Sequence, residues 1–262
     1  MPTDRLNDVP SDVLAAIAEA TGPVLKAEPL TSGFNSEIAA RIHTEHGLVF
    51  VKGLRADHPR VWTQQREADI NPHVQGIAPR LLWRLQPIGW DLLGFEYADG
   101  HHADYAPGSP DVPLVAATLR RLGQVPCPDL PIKTMPDRMT AYTGHPELFA
   151  GDALLHTDWN NTNVLVDHDR VCLVDWAWAS RGAGWIDPAL WTIWLIAGGH
   201  MPDQAERWVA DVPAWTAAPR EAVDAFSQAS ARLWQEIARQ SPNAWTQRME
   251  AAATAWERHR ND

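Results

Sequence analysis

Only two cysteines, Cys127 and Cys172, occur in 262 residues, which excludes a disulfide-stapled scaffold. Cys172 falls inside an apolar strand pattern, and both thiols are expected to be reduced and buried. No apolar run reaches the length of about 18 residues that suggests a membrane span; the most hydrophobic stretch, PALWTIWLIAGG, is too short. The N-terminal stretch MPTDRLNDVPSDVLAAIAEATG mixes charges and lacks a basic segment followed by an apolar one. Neither a secretory signal nor a transit peptide is therefore expected, and the expected location is cytoplasmic. Internal repeats and low-complexity tracts are missing. So is any basic surplus: 33 Asp plus Glu face 22 Lys plus Arg, for a net charge of −11. The imbalance is uneven. Residues 1–95 hold 11 acids against 9 bases, leaving a net −9 on residues 96–262. Such a field repels nucleic acid and anionic membrane and attracts cations, so neither is expected as a partner.

What is present is an ordinary globular composition, 45% apolar and 21% charged. Ser11 can cap a helix running to about Ala20, stopped by Gly22-Pro23. The stretch SEIAARIHTEHGLVFVKGL alternates as a hairpin: Ile38, Ala40 and Ile42 point one way, while Leu48, Phe50 and Lys52 share a face of the return strand. A helix follows, placing Trp62, Glu67 and Ile70 near one side. Two short strands fit RLLWRLQ and WDLLGFEYA. From GSPDVPLVAATLRRLGQV onward the pattern is mostly helical, and Val223, Phe226, Leu233 and Ile237 mark an apolar stripe near the C-terminus, with Ser230 filling its gap. The pattern predicts an α+β protein with two lobes. Residues 1–96 form a small antiparallel sheet lobe with a helix, and residues 97–262 form a larger, mostly helical lobe.

One stretch breaks this pattern. LLHTDWNNTNVLVDHDRVCLVDW is apolar at both ends yet holds a histidine, an aspartate and three asparagines within eight residues. Val164–Val166 and Val171–Val174, separated by DHDR, predict a hairpin. With a loop of two or four residues, Asn163 comes opposite Asp175 to within one residue, and cross-strand partners sit about 5 Å apart. A carboxylate and an amide oxygen side by side suit Mg²⁺, which takes few protein oxygens and completes its shell with water and phosphates. Asp158, in the loop feeding the hairpin, faces the same spot.

This constellation resembles the aminoglycoside phosphotransferase and choline kinase superfamily, a protein-kinase-like fold, over most of the chain. HTDWNNTN is similar to its H-G-D-x-x-x-x-N catalytic loop and LVDW to its metal-aspartate strand. LVFVKG is similar to the strand bearing its nucleotide lysine, QQREADI to the helix bearing the partner glutamate, and LTSGFNSE to the phosphate-covering loop. GFEYADG resembles the hinge, and GWIDPALW the segment whose aspartate braces the catalytic loop. The resemblance implies ATP (or GTP) and Mg²⁺ as cofactors. It implies Asp158 as catalytic base, Asn163 and Asp175 as metal ligands, and Lys52 paired with Glu67 on the phosphates. Ser32, Gly33, Phe34 and Asn35 would cover the phosphates, and the backbone of Phe95, Glu96 and Tyr97 would read the base. His156 and Asp187 would support the loop.

Two departures stand out: Thr157 replaces the glycine usual between His and Asp, and Ala177 stands where many relatives carry an acid. The proline-rich stretch between hinge and catalytic loop is also short for the family. The expected acceptor is a small molecule with a hydroxyl, and the acidic second part leans towards a cationic one. Trp159, Trp178 and Trp185 crowd the catalytic hairpin and are candidates for walls of an acceptor pocket. An aminoglycoside or similar amine-bearing antibiotic is the first expectation. A metabolic kinase for a sugar, choline-like alcohol or amino alcohol is the alternative, followed by a nucleotide-binding regulatory module without turnover.

Overall fold

A computed structural model describes residues 11–30, 36–87 and 89–262. The chain divides into two compact units, one running to residue 99 and including 172–177, the other comprising 100–171 and 178–262.

In the first unit, helix α1 (Ser11–Thr21) ends at Gly22, where a φ of +81° suits a residue without a Cβ. Strands β1 (Val24–Pro29), β2 (Ile38–Thr44) and β3 (Gly47–Arg55) precede helix α2 (Trp62–Ile70), and β4 (Leu81–Leu85) and β5 (Trp90–Glu96) follow it. They form one antiparallel sheet in the order β1-β2-β3-β5-β4. The alternation read from β2 is real: Ile38, Ala40 and Ile42 are buried, and they meet Val49, Val51 and Leu92 of the sheet and Val13 and Ile17 of α1. Fully burying a side chain of Val, Leu or Ile size stabilises by about 1.5–3 kcal/mol, which fixes this face as the inner one. Lys52 and Phe50 necessarily leave on the opposite face, because side chains alternate along a strand.

Two expectations need correction here. Strand β1 was not anticipated, because its residues are almost all exposed and carry no alternation. It is an edge strand, tied to β2 through Glu28, which accepts from Arg41 Nε at 2.7 Å and lies 3.1 Å from His43 Nε2. Trp62 does not share the buried side of α2; that side is Gln64, Glu67 and Ile70. Residues 62 and 67 are five apart, hence about 140° apart around a helix, whereas 64 and 67 are three apart. Trp62 instead lies under the Arg66 guanidinium, 5.7 Å from its ring centre.

The second unit begins with β6 (His101–His102), α3 (Asp111–Leu122), β7 (Lys133–Thr134), α4 (Met135–Met139) and β8 (Ala153–Leu155). Next come β9 (Val164–Asp167) and β10 (Arg170–Leu173), joined by a two-residue turn in which His168 has a φ of +54°. Strand β11 (Ser180–Gly182) pairs antiparallel with β8 and parallel with β7, and β9 pairs with β6. Helices α5 (Ile186–Ala197), α6 (Pro202–Val209), α7 (Pro213–Thr216), α8 (Arg220–Gln240) and α9 (Ala244–Asn261) complete the chain.

Three aromatic rings centre this unit's core: Phe149, Trp185 and Phe226 meet edge to face with centroids 5.1–6.2 Å apart. Val223, Phe226 and Ser230 of α8 are buried as the stripe predicts, but Leu233 and Ile237 are only half-buried. Alanines at 222, 229, 231 and 238 carry the rest of the α8 interface, short enough for α9 to approach with its own Ala252 and Ala253. Both cysteines are free, as expected, but half-buried rather than buried. No helix among the described residues is long and apolar enough to cross a membrane.

Gly94 on β5 lies opposite Trp83 on β4, and the indole occupies the space a Cβ would need. Gly94→Ala is therefore expected to destabilise by about 1–3 kcal/mol through overpacking. Urea unfolding should show the cost shrink when Trp83→Leu is also present.

Candidate active site

The described part of the site falls into two groups of residues, one in each unit. In the first unit, Lys52 leaves β3 on the face away from α1, and Glu67 reaches it from α2. Lys52 Nζ pairs with Glu67 Oε2 and lies 3.3 Å from Asp175 Oδ1. All three side chains are shielded, with exposures of 11%, 5% and 20%. Burial pulls the Lys52 ammonium down, but Asp175 and Glu67 more than offset it, and the net shift is upward. Lys52 therefore stays protonated. Burial pushes the Glu67 carboxyl up, against the pull of the Lys52 ammonium. Asp175 has a φ of +62°, a conformation uncommon for a residue with a side chain and frequent at functional sites. Residues 172–177 are anchored to the first unit by Leu173 N–H, which donates to the Ile77 carbonyl at 2.8 Å. The Trp176 indole N–H donates to the Leu173 carbonyl at 3.0 Å.

Phe95 also lies on the Lys52 face, its ring centre 6.0 Å from Nζ and 6.4 Å from that of Phe50. Its side chain thus helps form the surface, where sequence reasoning gave weight only to the backbone. Glu96 is exposed and pairs with Arg80, while Tyr97 Oη accepts from Arg41 at 3.3 Å. Ser32, Gly33, Phe34 and Asn35 lie outside the described residues.

In the second unit, the loop between β8 and β9 answers the question its polar residues raise. The His156 ring is fully buried, and its Nδ1 accepts the Asp158 N–H at 3.3 Å. Asp187, at the start of α5, accepts two successive backbone donors, His156 N–H at 2.8 Å and Thr157 N–H at 2.9 Å. Burial pushes the Asp187 carboxyl up, against the pull of His156 and these backbone donors. The three asparagines have separate tasks. Asn160 caps a short 3-10 turn over Asn161–Asn163 by accepting Thr162 N–H at 3.1 Å. Asn161 donates to the Ala103 carbonyl at 3.3 Å. Asn163 Nδ2 donates to the Asp158 carbonyl at 3.3 Å, which turns its Oδ1 into the amide atom suited to a metal. Asp158 itself is half-buried, and its Oδ1 accepts Asn160 N–H at 3.4 Å.

The tryptophans correct an expectation. Trp159 is fully buried and Trp185 is 5% exposed, so both rings pack against protein and neither can wall a pocket. The apolar edges of the loop hide them: Trp159 packs on His156, with ring centres 5.9 Å apart, and Trp185 belongs to the Phe149–Phe226 cluster. Only Trp178 of the three is half-buried. Sequence reasoning also missed two supports of the loop. Tyr105 Oη donates to the Trp159 carbonyl at 3.2 Å, and Arg138 Nη1 donates to Thr157 Oγ1 at 2.6 Å. Neither belongs to a motif, so only the packed structure identifies them.

Asp187→Ala would leave two N–H groups, one buried and one part-buried, without this acceptor. The expected cost is about 2–4 kcal/mol, from the penalty of each unpaired donor. Asp187→Asn should cost somewhat less, because its carbonyl oxygen still serves one N–H while its NH₂ opposes the other. Chemical denaturation of the two variants checks the order.

No protein-family model matches the chain, and no curated protein matches it in sequence. Solved structures do match. The choline kinase LicA from Streptococcus pneumoniae superposes with a TM-score of 0.66 at 14% identity, over 93% of this chain and 97% of that one. A thermostable mutant of the aminoglycoside phosphotransferase APH(4)-Ia, in a ternary complex with ADP and hygromycin B, gives 0.63 at 15% identity, over 94% and 99%. A candidate fructosamine-3-kinase from Haemophilus somnus gives 0.59 at 13% identity, over 93% and 96%. Identities this low speak for the fold rather than the activity: the chain has the kinase-like α+β fold of these proteins.

Proposed function

We propose that this chain is a small-molecule kinase that transfers the γ-phosphoryl group of ATP (or GTP) to a hydroxyl acceptor. A fold alone does not specify an activity, so the residues must carry the reading. The observation that carries it is the Lys52–Glu67–Asp175 cluster, in which Lys52 and Glu67 are buried and Asp175 is half-buried. Desolvating an ammonium and two carboxylates costs several kcal/mol per ion, and apolar side chains of similar volume would hold the sheet at least as well. A binding module without turnover has little use for that cost together with an Asp158 loop braced from several elements.

In this reading, Lys52 neutralises the phosphates of the nucleotide while Glu67 keeps the ammonium aimed. Asp158 accepts a hydrogen bond from the acceptor hydroxyl, orients its oxygen and takes its proton as the phosphoryl group moves. The Asp175 carboxylate and the Asn163 amide oxygen are donors of the kind Mg²⁺ takes, and we assign them as its protein ligands. Mg²⁺, when bound, supplies charge neutralisation on the triphosphate. Phosphoryl transfer depends mainly on alignment and charge, which a loop held by Asp187, Asn160 and Asn161 provides.

For the acceptor we infer a hydroxylated amine, with an aminoglycoside-like compound as the first candidate. Two considerations support this. Choline kinase, aminoglycoside phosphotransferase and fructosamine kinase are named for acceptors that combine a hydroxyl with a nitrogen. Residues 96–262 carry a net charge of −9. A metabolic amino alcohol or amino sugar is the second reading, and screening hydroxylated amines against neutral sugars for ATP consumption separates the classes. With Trp159 and Trp185 buried, the preference for a cation rests on charge, not on aromatic walls.

Asp158→Asn keeps the shape of the side chain but cannot take the proton. Turnover should fall by about 10²-fold or more while ATP affinity stays level. Near-normal turnover in this variant would remove Asp158 from its role.

The Debye length shrinks from about 10 Å to 3 Å between 0.1 and 1 M salt, so attraction of a cationic acceptor should fade across that range. Its KM should climb with salt, and the KM of ATP should not climb in parallel. A flat acceptor KM, with a neutral sugar as best substrate, would return the acidic surface to a role in solubility.

A further inference from the structure

Thr157 stands between the buried His156 and Asp158 with a φ of +67°. That region is uncommon for any residue with a Cβ and rarest for β-branched ones, because the branched side chain meets the neighbouring peptide. Something must hold it there. The backbone N–H of Thr157 is held by Asp187, as described above. The side chain is held separately: Oγ1 donates to the Trp178 carbonyl at 2.8 Å and accepts from Arg138 Nη1 at 2.6 Å. The same Nη1 lies 3.0 Å from the Trp178 carbonyl and 2.9 Å from Ser180 Oγ, so its two hydrogens are shared among three acceptors. One guanidinium nitrogen thus ties together α4, the catalytic loop and the start of β11.

The position of Arg138 is costly for a structural arginine. Burial pulls its guanidinium pKa down, while the charges of Asp158 and Asp187 oppose that pull. An apolar residue on α4 would avoid this desolvation, so what Arg138 gains must come from the groups it bonds and from the Trp178 ring, whose centre is 5.8 Å from its Cζ. Of these, only Thr157 is in a conformation its side chain disfavours. The Trp178 carbonyl already accepts from Thr157 Oγ1 and from Ser180 Oγ, the latter at 3.0 Å, so it does not need the arginine.

We propose that Arg138 is a positioning residue for Asp158: by gripping Thr157 Oγ1 it holds a threonine in a backbone conformation that glycine adopts freely, and so sets where the next side chain points. This rests on the reading of Asp158 as the catalytic base. Without the grip, residue 157 relaxes towards negative φ. The peptide that donates from Asp158 to His156 Nδ1 then turns, and the carboxylate moves with it. Arg138 and Thr157 form one device, so the need for the arginine should vanish when residue 157 has no Cβ.

The test is a double-mutant comparison of R138M made alone and together with T157G, each against its own parent. The readouts are ATP·Mg²⁺ consumption with water as acceptor and the crystal structure of the loop. Alone, R138M should lower kcat by about 30-fold or more, leave the KM for ATP within about twofold, and release residue 157 from positive φ. In the T157G background the same change should cost less than about threefold. An equal loss in both backgrounds, a loss expressed in the KM for ATP, or a loop unchanged in R138M would overturn the proposal. If R138M alone fails to fold but the double variant folds and turns over, the coupling is confirmed. If neither folds, R138K replaces R138M in both backgrounds and the same comparison decides. D158N serves as control: if it turns over normally, the reading of the base fails, whereas an inactive D158N with uncoupled R138M and T157G removes the positioning role alone.

Discussion

One carboxylate takes two consecutive backbone donors, and much of the site follows from that. Around the left-handed turn at Thr157, the buried N–H of His156 and the part-buried N–H of Thr157 both point at Asp187. Asp187 accepts both, and its place in the first turn of α5 puts a negative charge where the helix dipole favours one. With those donors satisfied, the His156 ring can remain buried and present Nδ1 to the Asp158 N–H. The loop is thus set from below by α5 and from the side by α4 and Ala103, and Asp158 needs no mobility of its own to be placed.

The first unit solves a different problem. The buried inner face of the sheet is mainly apolar, and Lys52 occurs on the outer face, between Glu67 and Asp175. Two carboxylates share one ammonium, and burial pushes the Glu67 carboxyl up against the pull of that ammonium. The same two groups keep Lys52 protonated, so its charge is ready for a phosphate across the ordinary pH range.

Most of the fold was legible because its signals are local. The β2–β3 hairpin, the β9–β10 hairpin and the first part of the α8 stripe each show a period that burial then confirms, at Ile38, Ala40 and Ile42, at Val164, Val166, Val171 and Leu173, and at Val223 and Phe226. The pairing of Lys52 with Glu67 was legible only through resemblance, since strand and helix meet across a separation that no local pattern encodes. What escaped was whatever depends on three-dimensional neighbours alone. Strand β1 has no buried side to alternate, and Arg138 sits on a short helix without a motif. Trp159 and Trp185 read as pocket walls because an aromatic residue near polar motifs looks the same in sequence whether it faces a ligand or the core. The threonine at 157 was visible as a departure, but its consequence required the φ angle.

The membership of residues 172–177 in the first unit bears on how the chain is made. The segment leaves the second unit after Val171, docks by Leu173 onto Ile77, and returns at Trp178. The strands β1 to β5 are therefore all present in sequence by residue 96, but the loop between α2 and β4 is incomplete in hydrogen bonds, since the Ile77 carbonyl waits for a partner made much later. At roughly 5–20 residues per second of synthesis, that wait lasts roughly 4–16 seconds. During it the Lys52 ammonium has Glu67 but not Asp175 beside it. The first unit matures only after part of the second has emerged, and the order of assembly is written into the threading of six residues.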